Sequence, residues 1–207
     1  MPDLDFALTG AEAVADAAAP TLAFQLRITN RSSEPIHNVW LRCQLRIESP
    51  KRRYAEDESA RLVDLFGETS RWGQTLRSLL WTNTDMVVGP FEHVTDVALP
   101  VTCTYDFNIA VAKYFDALEG GEAPLLFLFS GTVFHANDEG ALQIAQIPWT
   151  RECAFRLPVR IWKDMMALYY PNTAWLCLRK DVFDRLHDHK MRHGIPTWEQ
   201  ALESILP

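Results

Sequence analysis

The sequence predicts an α+β fold in which an antiparallel, immunoglobulin-like β-sandwich carries a helical insertion and ends in helices. Three observations support this prediction. Short stretches that alternate apolar and polar residues fill most of 1–157, a helix-like segment interrupts them at about 57–81, and the periodicity becomes helical after Pro158. We therefore expect a sandwich domain over 1–157, with its insertion at 51–90, and a helical extension over 158–207 that packs on the sandwich within the same domain.

A period of two indicates the first strands. In Thr21–Asn30 and His37–Glu48 every second residue is apolar, which is typical of strands with one buried face. A polar segment, 31–35, joins them, and we interpret the pair as an antiparallel hairpin. Asp5–Val14 is a candidate preceding strand, although its alanines favour a strand less strongly.

The segment Lys51–Trp81 departs from this alternation and predicts two short helices. Over Asp57–Phe66 the apolar residues fall near one helical face, and Gly67 follows as a stop signal. Over Thr69–Trp81 a second apolar stripe is formed by Trp72, Leu76, Leu79 and Leu80. Two strands do not need a connection of about thirty residues, and long connections commonly carry function.

Strand patterns return after the insertion. Alternation from Val97 to Cys103 crosses Pro100, which indicates an edge strand or a bulge. The segment Asp106–Leu118 fits either a strand or a helix. The apolar run Pro124–His135 predicts a central strand covered on both faces, and two more strands follow at Ala141–Trp149 and Arg151–Leu157.

The end of the chain carries helix signals. Prolines flank the helical pattern of 158–171 as its start and its stop. An extended apolar segment, Asn172–Leu178, precedes a helix over Lys180–His193 that Gly194 ends. A last helix over 197–206 begins with a capping box, in which a threonine is followed three residues later by a glutamine.

Composition limits the classes of function. The 207 residues carry a net charge of −7, which argues against binding to nucleic acid or to an anionic membrane surface. No stretch approaches the ~20 apolar residues of a membrane span, and the N-terminal segment lacks the basic start of a signal peptide. The four cysteines are widely separated and suit buried thiols in a reducing compartment. We therefore expect a cytoplasmic protein.

The metal candidate is a histidine pair near the end of the last long helix. His189 and His193 stand at i and i+4, so their rings share one face, whereas His187 points elsewhere. Histidines near a helix C-terminus are also favoured by the helix dipole without any metal. Both interpretations stay open, and we predict no cofactor.

The sequence contains no coherent catalytic set. Ser130 lies in an apolar strand without the GxSxG elbow, and Cys103 takes an inward strand position. Neither has an evident histidine partner. Carboxylates that could serve acid–base chemistry lie in polar turns or on helical faces: Asp57 with Glu58, Asp64 with Glu68, and Asp138 with Glu139. We therefore predict a protein that is not an enzyme, and keep an active site assembled from distant segments as a lesser alternative.

Aromatic residues supply the candidate partner-binding site. Phe66, Trp72 and Trp81 belong to the insertion, and Trp175 belongs to the C-terminal extension. Aromatic side chains are enriched at the hot spots of protein interfaces. They would equally fill the contact between helices and sandwich, because each can bury about 150–250 Å². Either these rings close the sandwich or they face a partner.

Several strings together resemble one family of proteins. They are RRY at 52–54, DLFGE at 64–68, CTYDF at 103–107, KYFDAL at 113–118, FSGTVF at 129–134, and the tail from LPVRIWKDMM to YYPNTAW. The chain resembles, over nearly its whole length, an uncharacterised and largely actinobacterial family of small proteins found in gene neighbourhoods of nickel–iron hydrogenases. The resemblance implies a cytoplasmic accessory protein near hydrogenase assembly, and it implies no site residues.

Our leading hypothesis is therefore a non-enzymatic accessory or adaptor protein that binds a protein partner, such as a hydrogenase subunit or maturation factor. The alternative is a small-molecule or metal-binding module. Its site would use His189 and His193, or a pocket lined by Trp149, Trp162 and Trp175.

Overall fold

The computed structural model describes residues 2–137 and 140–206. These residues form two compact units, which divide after Asn172. The predicted carboxylate pair of Asp138 and Glu139 lies outside the described residues. Among the described helices, none combines the length and the apolar character needed to cross a membrane.

The larger unit contains the strands and the first five helices. In chain order the strands are β1 (Leu4–Ala13), β2 (Thr21–Asn30), β3 (Ile36–Ile47), β4 (Leu79–Val88), β5 (Val94–Thr102), β6 (Glu122–Ala136), β7 (Leu142–Gln146) and β8 (Glu152–Pro158). Its helices are α1 (Glu56–Arg61), α2 (Val63–Phe66), α3 (Trp72–Thr75), α4 (Ile109–Ala117) and α5 (Val159–Tyr169). The smaller unit contains α6 (Lys180–Arg192) and α7 (Trp198–Glu203).

The strands form two antiparallel sheets. The smaller sheet has the order β1-β2-β5, and the larger has the order β4-β3-β6-β7. β8 also pairs with β6, along the half of β6 that β7 leaves free. With the helices between and after the strands, this arrangement confirms the predicted α+β fold built on two antiparallel sheets.

The inward faces of the two sheets form the core. The apolar side chains of β2 and β3 that alternate inward are almost completely buried, from Leu22 to Ile28 and from Val39 to Ile47. The ring of Phe24 joins the sheets, because its centroid lies 5.0 Å from that of Phe127 and 6.0 Å from that of Phe155. Burial of this kind stabilises a fold by roughly 25 cal/mol per Å² of apolar surface.

β2 and β3 do not pair with each other, so the predicted hairpin is wrong. β2 pairs with β1 and β5, whereas β3 pairs with β4 and β6 in the opposite sheet. Each strand has one apolar face, and placing the two faces across the core buries both of them. Alternation identifies which face of a strand is buried, but it does not identify the neighbouring strand.

Asn30 holds two of the three places where the chain crosses between the sheets. Its Nδ2 donates to the carbonyl of Glu34 at 2.8 Å in the β2–β3 connection, and to the carbonyl of Glu92 at 2.9 Å in the β4–β5 connection. Its Oδ1 accepts from the backbone N–H and the hydroxyl of Ser32, which forms an Asx turn. The side chain is 5% exposed, so these bonds replace water.

Gly131 allows β6 to approach β3 closely at Trp40. Its φ of +136° lies in a region that side chains rarely adopt, and an added Cβ would lie 2.0 Å from the carbonyl oxygen of Trp40. Glycine is therefore required at this point of the larger sheet.

Two open predictions are resolved by local interactions. The ambiguous segment 106–118 contains α4, because Asn108 caps it by accepting from the N–H of Val111 at 3.1 Å. Pro100 lies in β5, which is an edge strand of the smaller sheet, so the first of the two predicted alternatives is confirmed.

The helix after Pro158 belongs to the sandwich unit. In α5 the ring of Trp162 stacks on that of Phe115 at 5.0 Å, and the Tyr169 hydroxyl donates to the carbonyl of Val14 at 2.8 Å. The division between the units therefore falls after Asn172, whereas the sequence analysis placed its boundary after residue 157.

Replacing Asn30 by alanine should lower the free energy of unfolding by roughly 1–3 kcal/mol, because the carbonyls of Glu34 and Glu92 and the Ser32 donors lose a buried partner. Asn30→Asp should be destabilising as well, since it keeps the acceptor but removes the donor. Urea unfolding measures both. Ser33→Ala, in the same loop and exposed, is the control and should change stability by less than about 0.5 kcal/mol. Equal unfolding midpoints for Asn30→Ala and Ser33→Ala would show that this amide does not hold the crossings.

Candidate functional site

The structure places Phe66 and Trp81 in the interior. Their side chains are 4% and 2% exposed. The Trp81 ring centroid lies 5.1 Å from that of Phe115, which belongs to α4. A ring with so little exposure offers no surface to another protein. The sequence left open whether these rings close the sandwich or face a partner. Phe66 and Trp81 close the sandwich.

Trp81 also lies in a strand, not in the helix predicted over Thr69–Trp81. α3 ends at Thr75, and β4 begins at Leu79. From Leu79 onward the backbone pairs with β3, beginning with Ile47. Pairing with a neighbouring strand adds a ladder of hydrogen bonds and burial, which outweighs the marginal stability of a short helix.

Trp72 is half-buried and fixed by its own segment. Its Nε1 donates to the carbonyl of Gly67 at 2.9 Å, and Gly67 ends α2 with a φ of +71°. Its ring lies edge-on to Tyr54 at 5.4 Å and to Phe66 at 6.2 Å. Trp72 therefore contributes mainly to the folding of the insertion.

A buried ion pair locks the insertion onto the sandwich. Arg52 Nη2 lies 2.6 Å from Glu58 Oε1, and the two side chains are 10% and 5% exposed. Arg52 also donates to the backbone carbonyls of Gly120 and Glu122, both at 2.8 Å. One guanidinium thus ties the start of the insertion, α1 and the connection before β6 together.

The protein holds Glu58 in its charged form. Burial alone would raise the pKa of this carboxyl, but the backbone N–H groups of Glu119 and Ala55 and the Arg52 guanidinium together lower the pKa below its ordinary value. Arg52 belongs to a basic triplet, Lys51–Arg53, in which Lys51 pairs with Glu48 at 3.2 Å and Arg53 is exposed. The triplet is therefore largely neutralised and not an anion site.

The candidate nucleophiles take structural positions. Burial raises the pKa of Cys103, and that of Cys43, to about 12, so both thiols stay protonated near neutral pH and are poor nucleophiles. Ser130 lies on the outer face of β6, opposite Arg42 of β3.

The smaller unit has almost no interior of its own. Within residues 173–206, Ala201 is the one side chain that is buried. The exposed apolar residues are large: Trp175, Leu176, Phe183, Met191, Trp198, Ile205 and Leu206. Monomeric proteins rarely leave so much contiguous apolar surface in water, which makes this unit the candidate functional site.

The exposed apolar residues of this unit line a groove. We call it the C-terminal groove, and it is lined by Leu176, Leu178, Lys180, Phe183, Leu186, Trp198 and Leu202. Its volume is about 370 Å³. The ring centroids of Phe183 and Trp198 lie 5.3 Å apart with the rings tilted by 39°, so rings from α6 and α7 form one wall. Trp175 is 42% exposed and precedes the lining residues.

Positive charges border the C-terminal groove. Arg185 and Arg192 lie beside its leucines, together with Asp188 and His189. Lys190 lies over the Trp198 ring, with its Nζ 5.5 Å from the ring centre. Among the described residues no carboxylate pairs with Arg185, Lys190 or Arg192. The border of the groove therefore carries more basic than acidic side chains.

The histidine pair lies near this groove. The rings of His189 and His193 are 4.6 Å apart, and His189 Nε2 lies 3.2 Å from the hydroxyl of Ser204. Within residues 2–137 and 140–206 no group of three histidine, cysteine or carboxylate side chains gathers in a way that could hold a metal. Trp149, Trp162 and Trp175 do not line a common pocket within either unit: Trp149 is exposed and Trp162 is buried in the larger unit, and Trp175 belongs to the smaller one.

The sequence analysis found Trp175 in this unit and missed Phe183 and Trp198. One signal was present, because Val182, Phe183 and Leu186 give α6 an apolar stripe on an otherwise charged helix. Nothing in that stripe reveals whether another segment covers it.

The fold and the groove together define a β-sandwich protein with a small helical unit whose apolar face is open. The chain belongs to a family of unknown function, DUF6084, whose model matches residues 1–207. No curated protein matches the chain.

Solved structures give only distant likenesses. The CARDB domain of a Pyrococcus furiosus protein, solved with di-metal ions, is 10% identical over 76% of this chain and 92% of that one, with a TM-score of 0.29. A β-glucosidase from Kluyveromyces marxianus is 7% identical over 75% of this chain and 15% of its own, with a TM-score of 0.28. β-Glucosidase 3B from Thermotoga neapolitana is 11% identical over 75% of this chain and 17% of its own, with a TM-score of 0.27. At such TM-scores none of them bears on the function of this chain.

Replacing Arg52 by methionine should lower the free energy of unfolding by about 3–5 kcal/mol, because Glu58 would remain buried without its partner. The matched control is Arg53→Met, which removes the same charge from an exposed neighbour and should change stability by less than about 0.5 kcal/mol. Urea unfolding measures the stability of both variants. Equal losses of unfolding free energy in the two would contradict the claim that the Arg52–Glu58 ion pair holds the insertion on the sandwich.

Acid should destabilise the wild-type protein more than Glu58→Gln. The folded state lowers the pKa of Glu58 from its ordinary value of 4.5, so the carboxylate stabilises the fold above that pH, and its contribution is lost as the pH falls through the lowered pKa. The difference in unfolding free energy between wild type and Glu58→Gln should therefore shrink between about pH 5 and pH 3. A difference that stays constant over this range would contradict the assignment.

Proposed function

We propose that the protein is a non-enzymatic accessory or adaptor protein that binds a protein partner through the C-terminal groove. One observation supports the proposal most strongly: between residues 173 and 206, Ala201 alone is buried. Units of fewer than about 40 residues usually need a disulfide, a metal or an association for stability. Here Cys177 is a free thiol, so association is the stabilisation that this unit can use.

The lining of the groove suits an amphipathic helix as the occupant. Leucines line it, and the adjacent rings of Phe183 and Trp198 form one wall. Grooves of this composition accept the apolar stripe of a helix, whose side chains at i, i+3, i+4 and i+7 enter together. Aromatic residues in such grooves commonly contribute most of the binding energy.

The border of the groove selects the charge of that helix. Arg185, Lys190 and Arg192 carry positive charge that no carboxylate of the described residues neutralises. Asp188 is the acidic residue among the groove's neighbours. Complementary charge speeds association and excludes wrong partners. The occupant that fits is therefore an amphipathic helix of a partner protein with acidic residues beside its apolar stripe.

The resemblance to a family from hydrogenase gene neighbourhoods supplies a context for this proposal. It leads us to propose a nickel–iron hydrogenase subunit or maturation factor as the protein that presents the helix. This assignment of the partner is separate from the groove chemistry and is tested separately.

A synthetic peptide tests the groove. A peptide of about 16 residues, with leucines on one helical stripe and glutamates elsewhere, should bind the full chain in isothermal titration calorimetry. The same peptide with lysines in place of the glutamates should bind at least about tenfold more weakly. Phe183→Ser should reduce binding of the acidic peptide at least about tenfold, because it removes one wall of the groove.

The control for this experiment is Leu168→Ser, which removes an exposed apolar residue of α5 outside the groove and should bind the peptide as wild type does. Equal binding of the acidic and basic peptides, or full binding by Phe183→Ser, would contradict the proposal. A dimer that forms with rising concentration and is lost in Phe183→Ser would instead make a second copy of the chain the occupant. Purified hydrogenase subunits and maturation factors, titrated in place of the peptide, test the identity of the partner.

A further inference from the structure

A second groove lies on the outer face of the larger sheet, in the first unit. We call it the sheet groove. Its main lining side chains are Arg42, Gln44, Asn83, Asp85, Ser130 and Trp149, and its volume is about 510 Å³. Ligand sites in proteins commonly have volumes of about 300–1,000 Å³. The sheet groove shares no residue with the C-terminal groove, so a ligand bound there would be distinct from the partner of the proposed function and would not depend on it.

The topology of the sheet places Trp149 at the side of this groove. β8 pairs with residues 122–128 of β6 and β7 pairs with residues 132–136, which leaves a notch between them. The connection from β7 to β8 closes this notch: the Phe129 N–H donates to the carbonyl of Arg151 at 2.8 Å, and the Ile147 N–H donates to the carbonyl of Gly131 at 3.0 Å. Trp149 lies in this connection and is 86% exposed.

The Trp149 indole has no structural role within the described residues. The fold anchors both ends of its loop to one edge of β6 yet leaves the ring in water. Exposed tryptophan is a common anchor for ligands, because the ring offers an apolar face and an N–H donor at once. A second partly exposed indole, Trp40, lies on the same outer face, under the guanidinium of Arg42 at 5.1 Å.

The polar side chains of the groove have unused hydrogen-bonding capacity. Arg42 of β3 stands directly opposite Asp85 of β4 and opposite Ser130 of β6. Although Arg42 and Asp85 are cross-strand neighbours, no ion pair joins them, and none of the three side chains has a hydrogen-bond partner among the described residues. Beside them Gln44 donates to Asn83 at 3.2 Å, which leaves further donors and acceptors on both amides.

This combination identifies the charge of the ligand. A carboxylate or phosphate would suit Arg42 but would be repelled by Asp85. A cation would suit Asp85 but would be repelled by Arg42. A neutral ligand with neighbouring hydroxyl groups suits both, since each hydroxyl accepts from the guanidinium and donates to the carboxylate. Sugars have such hydroxyls and also have apolar C–H faces that pack on an indole.

We propose that the sheet groove binds a neutral oligosaccharide. A sugar ring packs on Trp149, and its hydroxyl groups bond to Arg42, Asp85 and the amides of Gln44 and Asn83. The groove crosses three neighbouring strands, β4, β3 and β6, and therefore accepts more than one sugar unit.

Calorimetric titration of the full chain with maltohexaose, cellohexaose, xylohexaose and mannohexaose tests this proposal. At least one of them should bind, and Trp149→Ala should weaken that binding at least about tenfold by removing the stacking face. Asp85→Asn should weaken it by a smaller factor, because an amide replaces a charged acceptor. Thermal unfolding of Trp149→Ala should match wild type, since the ring is exposed.

Trp175→Ala is the matched control, because it removes an exposed indole that does not line the sheet groove, and it should bind the sugar as wild type does. Hexagalacturonate tests the requirement for a neutral ligand and should bind more weakly than the neutral sugar. The proposal fails if none of the four neutral sugars binds at millimolar concentration. It also fails if Trp149→Ala binds as tightly as wild type, or if hexagalacturonate binds best.

Discussion

The amide of Asn30 determines which side of each sheet faces the core. By bonding to the carbonyls of Glu34 and Glu92, it holds the β2–β3 and β4–β5 connections, which are two of the three that carry the chain from one sheet to the other. Because side chains alternate along a strand, a shift of one residue at the β2–β3 crossing would turn the apolar residues of β3 to water and its polar residues inward. The positions of Arg42 and Gln44 on the outer face therefore depend on a bond made about a dozen residues earlier in the chain.

The insertion shows how a segment rich in charge and aromatic rings can serve the fold alone. Arg52 and Glu58 are buried together and tie the insertion to the connection before β6, while Phe66 and Trp81 fill the space beneath it. A buried pair of this kind adds little net stability compared with an apolar substitute, but it fixes one geometry, since each partner is costly to bury alone. Function is therefore left to surfaces that the insertion does not cover.

The sequence predicted β2 to the residue and β3 to within one residue at each end, because a period of two records which side chains are buried. It did not predict their neighbours, because pairing depends on contacts between distant segments. The aromatic residues illustrate the same limit: Trp81 and Trp149 are the same residue type, yet one is 2% exposed and the other 86%. The sheet groove was equally hidden, since Asn83, Ser130 and Trp149 meet only through the register of three strands.

If the C-terminal groove binds a partner as proposed, the near absence of a core in residues 173–206 links the order of this unit to the amount of that partner. A ligand that binds only the folded form adds stability by mass action, about 2.7 kcal/mol when its free concentration is 100 times its Kd. Folding and binding of the unit would then be a single equilibrium, and the fraction of ordered chains would report the supply of partner. Chains made in excess would keep Phe183 and Trp198 in water, where apolar patches promote self-association. The cell would therefore benefit from producing the two proteins in matched amounts.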